Sequence, residues 1–111
     1  MENFKIQKQD LLTINLRSKK VIAFDQIIMM KGFANYTCFY LKNGKQRLTA
    51  HTLKYYEPML DGKGFLRVHR GFIVNQDCIL RHDTDTSSLF LTDGHEVEIS
   101  RRRRRQFVGN F

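Results

Sequence analysis

The sequence contains few of the residues that mark loop-rich, disulfide-bonded or membrane-spanning proteins. Its 111 residues include one proline, seven glycines, two cysteines and no tryptophan. With 41% hydrophobic residues as well, this composition excludes a low-complexity chain and predicts one ordered domain. No apolar run approaches the ~18 residues of a membrane span, and the first residues lack the apolar stretch of a signal peptide. We therefore expect a soluble cytoplasmic protein without a membrane partner.

Signals for catalysis, cofactors and metals are also missing. No nucleophile elbow, glycine-rich phosphate loop or paired-carboxylate motif occurs. Cys78 and His82 lie four residues apart, but no second pair at metal-ligand spacing accompanies them. Cys38 and Cys78 fall in predicted strands, where we expect buried, reduced thiols. The sequence thus predicts a protein that is not an enzyme and that binds no cofactor or metal.

Positive charge is the strongest feature of the composition. Nineteen lysines and arginines stand against eleven aspartates and glutamates, which gives a net charge of +8. This balance favours an anionic partner, nucleic acid before a membrane surface. Such a charge can also serve only to keep a small protein soluble, so the positions of the cations decide between the two explanations.

Short apolar segments bounded by turn residues predict a mainly β fold. The predicted strands are Leu11–Leu16, Val21–Phe24, Ile27–Met30, Tyr36–Leu41 and Gln46–Ala50. Between the third and the fourth of these, Lys31–Asn35 is predicted to be a loop. Asn43-Gly44 and Asp93-Gly94 tolerate positive φ at both central positions of a type I′ turn, and each therefore predicts a hairpin.

One short helix is predicted between the hairpins. Thr52 is a suitable N-cap, and the apolar residues that follow share one helical face: Leu53, Tyr56 and Leu60. Asp61-Gly62 is a typical end signal. Because Pro58 removes a hydrogen-bond donor and crowds the preceding turn, we expect this helix to be short or distorted.

Five consecutive arginines, Arg101 to Arg105, follow Ser100 near the end of the chain. Ser100 could cap a terminal helix, with the side facing the body formed by Ser100, Arg104, Phe107 and Phe111. The opposite side would present Arg101, Arg102 and Arg105. Cations at a helix N-terminus oppose the macrodipole, and a bound anion would relieve that cost. The alternative is a disordered basic tail.

The stretch "FLRVHRGFIVNQDCI", residues 65–79, resembles the signature of the LytTR family of bacterial DNA-binding domains. The matching residues are Phe65, Arg67, His69, Arg70, Val74, Asn75 and Ile79. Gly71 stands where the family has a serine. "IIMMKGFANYTCFYL" resembles the family's Asn-Tyr loop, "LTAHTLKYYEPML" its helix, and "LFLTDGHEVEISRRRRRQF" its closing hairpin and Ser-Arg-Arg element. The resemblance runs from about Leu11 to Phe107.

This resemblance implies a mainly β fold: an elongated array of short antiparallel strands in small sheets, with one or two short helices. Residues 11–111 would form the domain and residues 1–10 an N-terminal extension. It also implies a bacterial transcriptional regulator that binds double-stranded DNA through loops inserted into successive major grooves. Two copies would pair on direct-repeat half-sites. With no room for a receiver domain, we expect a stand-alone or excised domain with a separate receiver or sensor protein.

The resemblance and side-chain chemistry together assign roles to nine residues. Arg70 and Arg102 are candidates for bidentate contacts with guanine, and the Asn35-Tyr36 loop is a third contact point. Candidates for phosphate are Arg67, Arg101, Arg105 and the Ser100 hydroxyl. His69 could donate to phosphate or be packed within the domain.

Two other classes of function stay open at this point. A small β-rich module for single-stranded nucleic acid could stack bases on Tyr36, Phe39 and Tyr40. A protein-interaction domain could present its basic face to an acidic partner. Competition between duplex and single strand separates a single-strand binder from a duplex binder. A protein-interaction domain would have no duplex affinity at moderate salt.

Overall fold

The computed structural model describes residues 11–107, and this part of the chain folds into three small antiparallel sheets. The strands are β1 Leu11–Asn15, β2 Lys20–Ala23, β3 Ile27–Phe33, β4 Tyr36–Leu41, β5 Gln46–Thr49, β6 Phe65–His69, β7 Phe72–Asn75, β8 Ile79–Asp83, β9 Ser88–Leu91 and β10 Glu96–Glu98. The predicted class is confirmed: short antiparallel strands with little helix. The extension predicted for residues 1–10 lies outside the described residues. No helix within residues 11–107 is long and apolar enough to cross a membrane.

The central sheet has five strands in the order β5-β4-β3-β7-β6. β1 and β2 form a separate hairpin, and β8, β9 and β10 form a three-stranded sheet with β9 in the middle. Since successive side chains of a strand point to opposite faces, the central sheet contributes to two cores. One core packs Phe39 and Ile73 against the β1–β2 hairpin. The other packs Met29 and Val74 with residues of the three-stranded sheet.

The predicted helix is confirmed and is short and distorted, as Pro58 suggested. Helix α1 covers Leu53–Tyr56, and a 3-10 turn continues it over Glu57–Leu60. The Thr52 hydroxyl caps α1 by accepting a hydrogen bond from Tyr55 N at 3.2 Å. α1 packs into the first core, so it is held against the central sheet.

The two Asx-Gly hairpins are also confirmed. Asn43 and Gly44 have φ of 69° and 76°, and Asp93 and Gly94 have φ of 63° and 79°, as a type I′ turn requires. The tips of the two hairpins meet, because Asn43 N donates to Asp93 Oδ2 at 3.1 Å. This contact joins the central sheet to the three-stranded sheet.

The predicted loop at Lys31–Asn35 is wrong. β3 continues to Phe33, which pairs with Tyr36 across a turn of only two residues. Gly32 allows this strand to pass beneath α1, because a Cβ at that position would lie 2.8 Å from Cγ of Leu53. The glycine that suggested a loop is therefore the residue that lets helix and sheet pack closely.

Cys78 is not in a strand, contrary to prediction. It ends a 3-10 turn, Gln76–Cys78, that the Asn75 side chain starts by accepting a hydrogen bond from Asp77 N at 3.0 Å. The other end of the Asn75 amide donates to Ile27 O at 2.9 Å. Cys38 and Cys78 are both buried thiols, and burial raises the pKa of Cys78.

The segment after β10 is a 3-10 helix over Arg101–Phe107 and not the predicted α-helix. Its first turn closes by a hydrogen bond from Arg103 N to Ser100 O at 2.9 Å. Hydrogen bonds from Arg103 Nη1 to Arg67 O and from Arg104 Nε to Ile99 O hold this first turn against the body in the tighter 3-10 winding. Phe107 docks in the second core as predicted, with 3% of its surface exposed. Phe111 lies outside the described residues.

Candidate nucleic-acid interface

Two turns lie side by side at one end of the central sheet. β3 and β7 are antiparallel neighbours in which Lys31 pairs with Phe72, so the end of β3 lies beside the start of β7. The β3–β4 turn and the β6–β7 turn are therefore adjacent. A hydrogen bond from Gly32 N to Gly71 O at 2.9 Å ties the two segments together. The sheet thus brings Asn35 and Arg70 to the same end of the molecule.

Arg70 is exposed at the tip of the β6–β7 turn. Within residues 11–107 its guanidinium forms no hydrogen bond or ion pair. A planar guanidinium with all its donors unused can bind a guanine edge or a phosphate. The position of Arg70 suits the contact that the sequence predicts for it.

Arg67 occupies a different environment, with only 17% of its side chain exposed. Its Nε donates to His69 O at 2.9 Å, and its Nη2 donates to Arg70 O. Its Nη1 pairs with Glu57 Oε1 at 2.8 Å. All three nitrogens of the guanidinium therefore bind within the domain, and two of them hold the carbonyl groups of the turn that carries Arg70.

His69 is half-buried in the same turn. Gly71 N donates to His69 Nδ1 at 3.0 Å, and the ring lies edge-on to Phe72 with centroids 5.7 Å apart. Because Nδ1 accepts, the neutral ring carries its proton on Nε2. His69 is packed and hydrogen-bonded within the domain.

The β3–β4 turn presents two large aromatic side chains. Phe33 and Tyr36 are 47% and 44% exposed, and their ring centroids are 6.2 Å apart. Ala34 between them has φ of 52°, a left-handed conformation that costs an alanine about 1 kcal/mol or more. Asn35 is exposed at the tip.

A groove of about 430 Å³ runs between these two turns and the start of α1. Phe33 and Tyr36 contribute to it from the first turn, Arg70 from the second, and Lys54 from α1. Both cations are exposed. The groove therefore combines aromatic surface with positive charge, which suits a polyanion that also carries apolar groups.

The arginine run begins beside β6. Ser100 N donates to Val68 O at 2.8 Å, and Arg103 Nη1 donates to Arg67 O at 3.2 Å. Since β6 ends at the turn that carries Arg70, these bonds place the start of the run near that turn. Ser100 is half-buried at this junction.

The five arginines divide into two groups. Arg103 and Arg104 are half-buried and serve the fold: Arg104 Nε donates to Ile99 O at 3.1 Å, and its Nη2 pairs with Glu98 at 3.1 Å. The other three, Arg101, Arg102 and Arg105, are exposed. The predicted division between docked and outward-pointing arginines is therefore confirmed, although the segment is not an α-helix.

Sequence reasoning missed Phe33 and Lys54 as residues of this surface. The sequence predicts an irregular loop at Phe33, whereas its pairing with Tyr36 fixes both rings on one face. Lys54 follows the helix cap in sequence, and only the packing of α1 over Gly32 brings it to the groove. The available signal was an aromatic residue on each side of a two-residue turn.

The structure removes most of the stacking surface suggested for single-stranded nucleic acid. Phe39 is fully buried, edge-on to Tyr56 at 5.0 Å. Tyr40 is half-buried beside His95. Of the three aromatics proposed for stacking, only Tyr36 is exposed. In the described residues no group of three or more His, Cys, Asp or Glu side chains could hold a metal ion.

Comparison with known proteins identifies the family. The family model of the LytTr DNA-binding domain matches residues 17–111. The fold is similar to the LytTr DNA-binding domain of a Bacillus cereus protein assigned as a methyl-accepting/DNA response regulator, with a TM-score of 0.71 and 21% identity over 90% of this chain and 97% of that chain. No curated protein matches the sequence. Since the family model spans most of its length, this chain belongs to the LytTr DNA-binding domain family.

Proposed function

We propose that this domain binds double-stranded DNA sequence-specifically as part of a bacterial transcriptional regulator. The supporting observation is the convergence of three segments that are far apart in sequence. The Asn35 turn and the Arg70 turn are joined by the bond between Gly32 and Gly71, and the arginine run is attached to β6 through Val68. Side chains suited to base edges and phosphates thus share one region of the surface.

In this proposal Arg70 and Arg102 enter successive major grooves and bind guanine through paired N–H donors. Both are exposed. Asn35 supplies an amide that can bind adenine, and Tyr36 supplies a hydroxyl beside it. Because internal hydrogen bonds fix the backbone of this turn, the turn loses little backbone entropy when Arg70 binds.

Phosphate contacts are assigned to Arg101, Arg105 and Ser100, with His69 Nε2 as a further donor. Arg67 receives a different role from the one its sequence position suggested. Its three guanidinium nitrogens already bind within the domain, so we assign it to holding the turn of Arg70.

The first test selects bound duplexes from a random pool and then compares variants on the selected site. Arg70→Ala is expected to weaken cognate binding by about 1–3 kcal/mol and to relax the preference at one base position. Arg81→Ala is the charge-matched control, because Arg81 is exposed on the three-stranded sheet. Equal losses on cognate and random DNA would assign Arg70 to a phosphate.

The second test measures the salt dependence of binding. Several phosphate contacts predict a log–log slope steeper than about −3, and Arg105→Ala should make it shallower by about 0.9. Arg104→Ala is the control within the run, because Arg104 is paired with Glu98. A flat slope, or stronger binding to single strands than to the duplex at equal salt, would refute the proposal.

We also propose that two copies bind direct-repeat half-sites and that a separate receiver or sensor protein controls them. Protection footprints and sedimentation of the complex test the pairing. Two copies per selected site, with a repeated sequence one or more helical turns apart, would support it. A single copy on a single half-site would contradict it.

A further inference from the structure

We infer that Phe33 and Tyr36, hereafter the aromatic pair, contact the C5-methyl group of a thymine close to the guanine read by Arg70. The inference rests on the proposed function and adds a determinant of sequence preference to it. The apolar rings provide this determinant, which is separate from any hydrogen bond of the Tyr36 hydroxyl.

The first observation is the exposure of the aromatic pair. Phe33 and Tyr36 face each other across the hairpin and leave 47% and 44% of their surfaces in water. Their rings lie 6.2 Å apart and form one continuous apolar surface at the tip. The turn between them keeps Ala34 in a left-handed conformation, and such local strain is often found where a binding surface must be held in place.

The second observation is that the aromatic pair lies in the same groove as two cations. Phe33, Tyr36, Lys54 and Arg70 line the same groove. The hydrogen bond from Gly32 to Gly71 fixes the distance between the turn of the aromatic pair and the turn of Arg70. An apolar surface in the same groove as an unpaired guanidinium suits an occupant that offers both an apolar group and a hydrogen-bond acceptor.

The major groove offers the apolar group and the paired acceptors for a guanidinium on two different base pairs. The thymine methyl is the apolar group on a major-groove edge, whereas guanine presents the O6 and N7 acceptors. A protein that places a guanidinium and aromatic rings side by side therefore matches a guanine with a thymine nearby on either strand. Aromatic contact with the thymine methyl is a recognised mode of direct readout.

The test replaces each thymine of the selected duplex with deoxyuridine, one at a time. Uracil keeps the pairing and loses only the methyl group. The wild-type protein should lose affinity by about three- to fivefold, the factor for burying one methyl group, at one or two positions near the base that Arg70→Ala relaxes. Phe33→Ser should weaken binding to the thymine duplex and should be insensitive to uracil at those positions.

Three controls make the result specific. Leu80→Ser alters a residue that is 71% exposed on the three-stranded sheet and should keep the full uracil effect. Phe33→Leu keeps apolar surface and should keep part of the effect, and Tyr36→Ser provides an independent variant of the pair. Circular dichroism and thermal unfolding confirm that each variant is folded.

The outcomes separate this inference from the proposed function. If the wild-type protein prefers a selected duplex and no thymine-to-uracil change matters, the inference fails and the proposed function stands. The inference also fails if Phe33→Ser and Tyr36→Ser keep the wild-type uracil effect. If no duplex preference exists at all, the proposed function itself fails.

Discussion

Replacement of Arg67 gives the clearest test of how this surface is organised. Arg67 donates two hydrogen bonds to the carbonyl groups of His69 and Arg70 and pairs with Glu57. Each carbonyl bond contributes about 1 kcal/mol, and a partly exposed ion pair contributes up to about 1 kcal/mol. Arg67→Met should therefore lower the free energy of unfolding by about 2–3 kcal/mol. For a domain of this size the midpoint temperature should fall by roughly 10–20 °C.

Two variants separate a positioning role from a phosphate contact. Arg67→Met keeps the apolar stem and removes the charge, while Arg67→Lys keeps the charge and removes the planar fork. If Arg67 positions Arg70, both variants should weaken cognate binding and relax the base preference of Arg70, with little change in the salt slope. If Arg67 binds phosphate, the lysine variant should bind almost normally, and the methionine variant should make the slope shallower by about 0.9.

Urea unfolding and fluorescence anisotropy with the selected duplex at several salt concentrations provide these quantities. Arg81→Met is the control, because Arg81 is exposed and lies over the Phe90 ring at 4.2 Å. Its effect on stability should stay below about 1 kcal/mol. A methionine variant of Arg67 as stable as the wild type, with a shallower salt slope, would refute the positioning role.

Other predictions concern the elements that support the surface. Gly32→Ala should destabilise the domain by about 1–3 kcal/mol in urea unfolding, because the added Cβ would lie 2.8 Å from buried Leu53; an unchanged midpoint would mean that α1 is not held by this contact. Ala34→Gly should stabilise the fold by about 1 kcal/mol, since glycine adopts the left-handed conformation without the steric cost of a Cβ. A loss of stability would show that Ala34 is not strained. Burial raises the pKa of Cys78 and Tyr56 above their ordinary values of 9.0 and 10.0. Because the folded state then keeps protons that the unfolded chain releases, stability should be full below about pH 8 and should fall as pH rises. Cys78→Ala should remove the earlier part of that fall in a pH series of unfolding experiments, and an identical decline in this variant would rule out Cys78 as a source.

Features with a strong local cause were predictable from the sequence. Asn43-Gly44 and Asp93-Gly94 form the expected turns because their backbone preferences do not depend on distant contacts. Thr52 caps α1, and Pro58 limits it, for similarly local reasons. The outward position of Arg101, Arg102 and Arg105 followed from the need to bury Phe107.

Features that depend on packing between distant segments were not predictable in this way. Gly32 suggested a loop, yet it lies in a strand paired with β4. The position takes a glycine because Leu53, 21 positions further along the sequence, fills the space that a Cβ would occupy. Arg67 has the side-chain chemistry of a phosphate ligand, yet its guanidinium already binds Glu57 and the carbonyl group of His69.

The sequence by itself determined the class of fold, the two hairpins and an excess of cations suited to an anionic partner, because turn chemistry, hydrophobic patterning and charge are local properties. Tertiary structure alone decided which of those cations are available. A guanidinium that is hydrogen-bonded to a carbonyl or carboxylate inside the domain has fewer free donors for an anionic partner. Whether it forms such bonds depends on how strands far apart in the chain are paired.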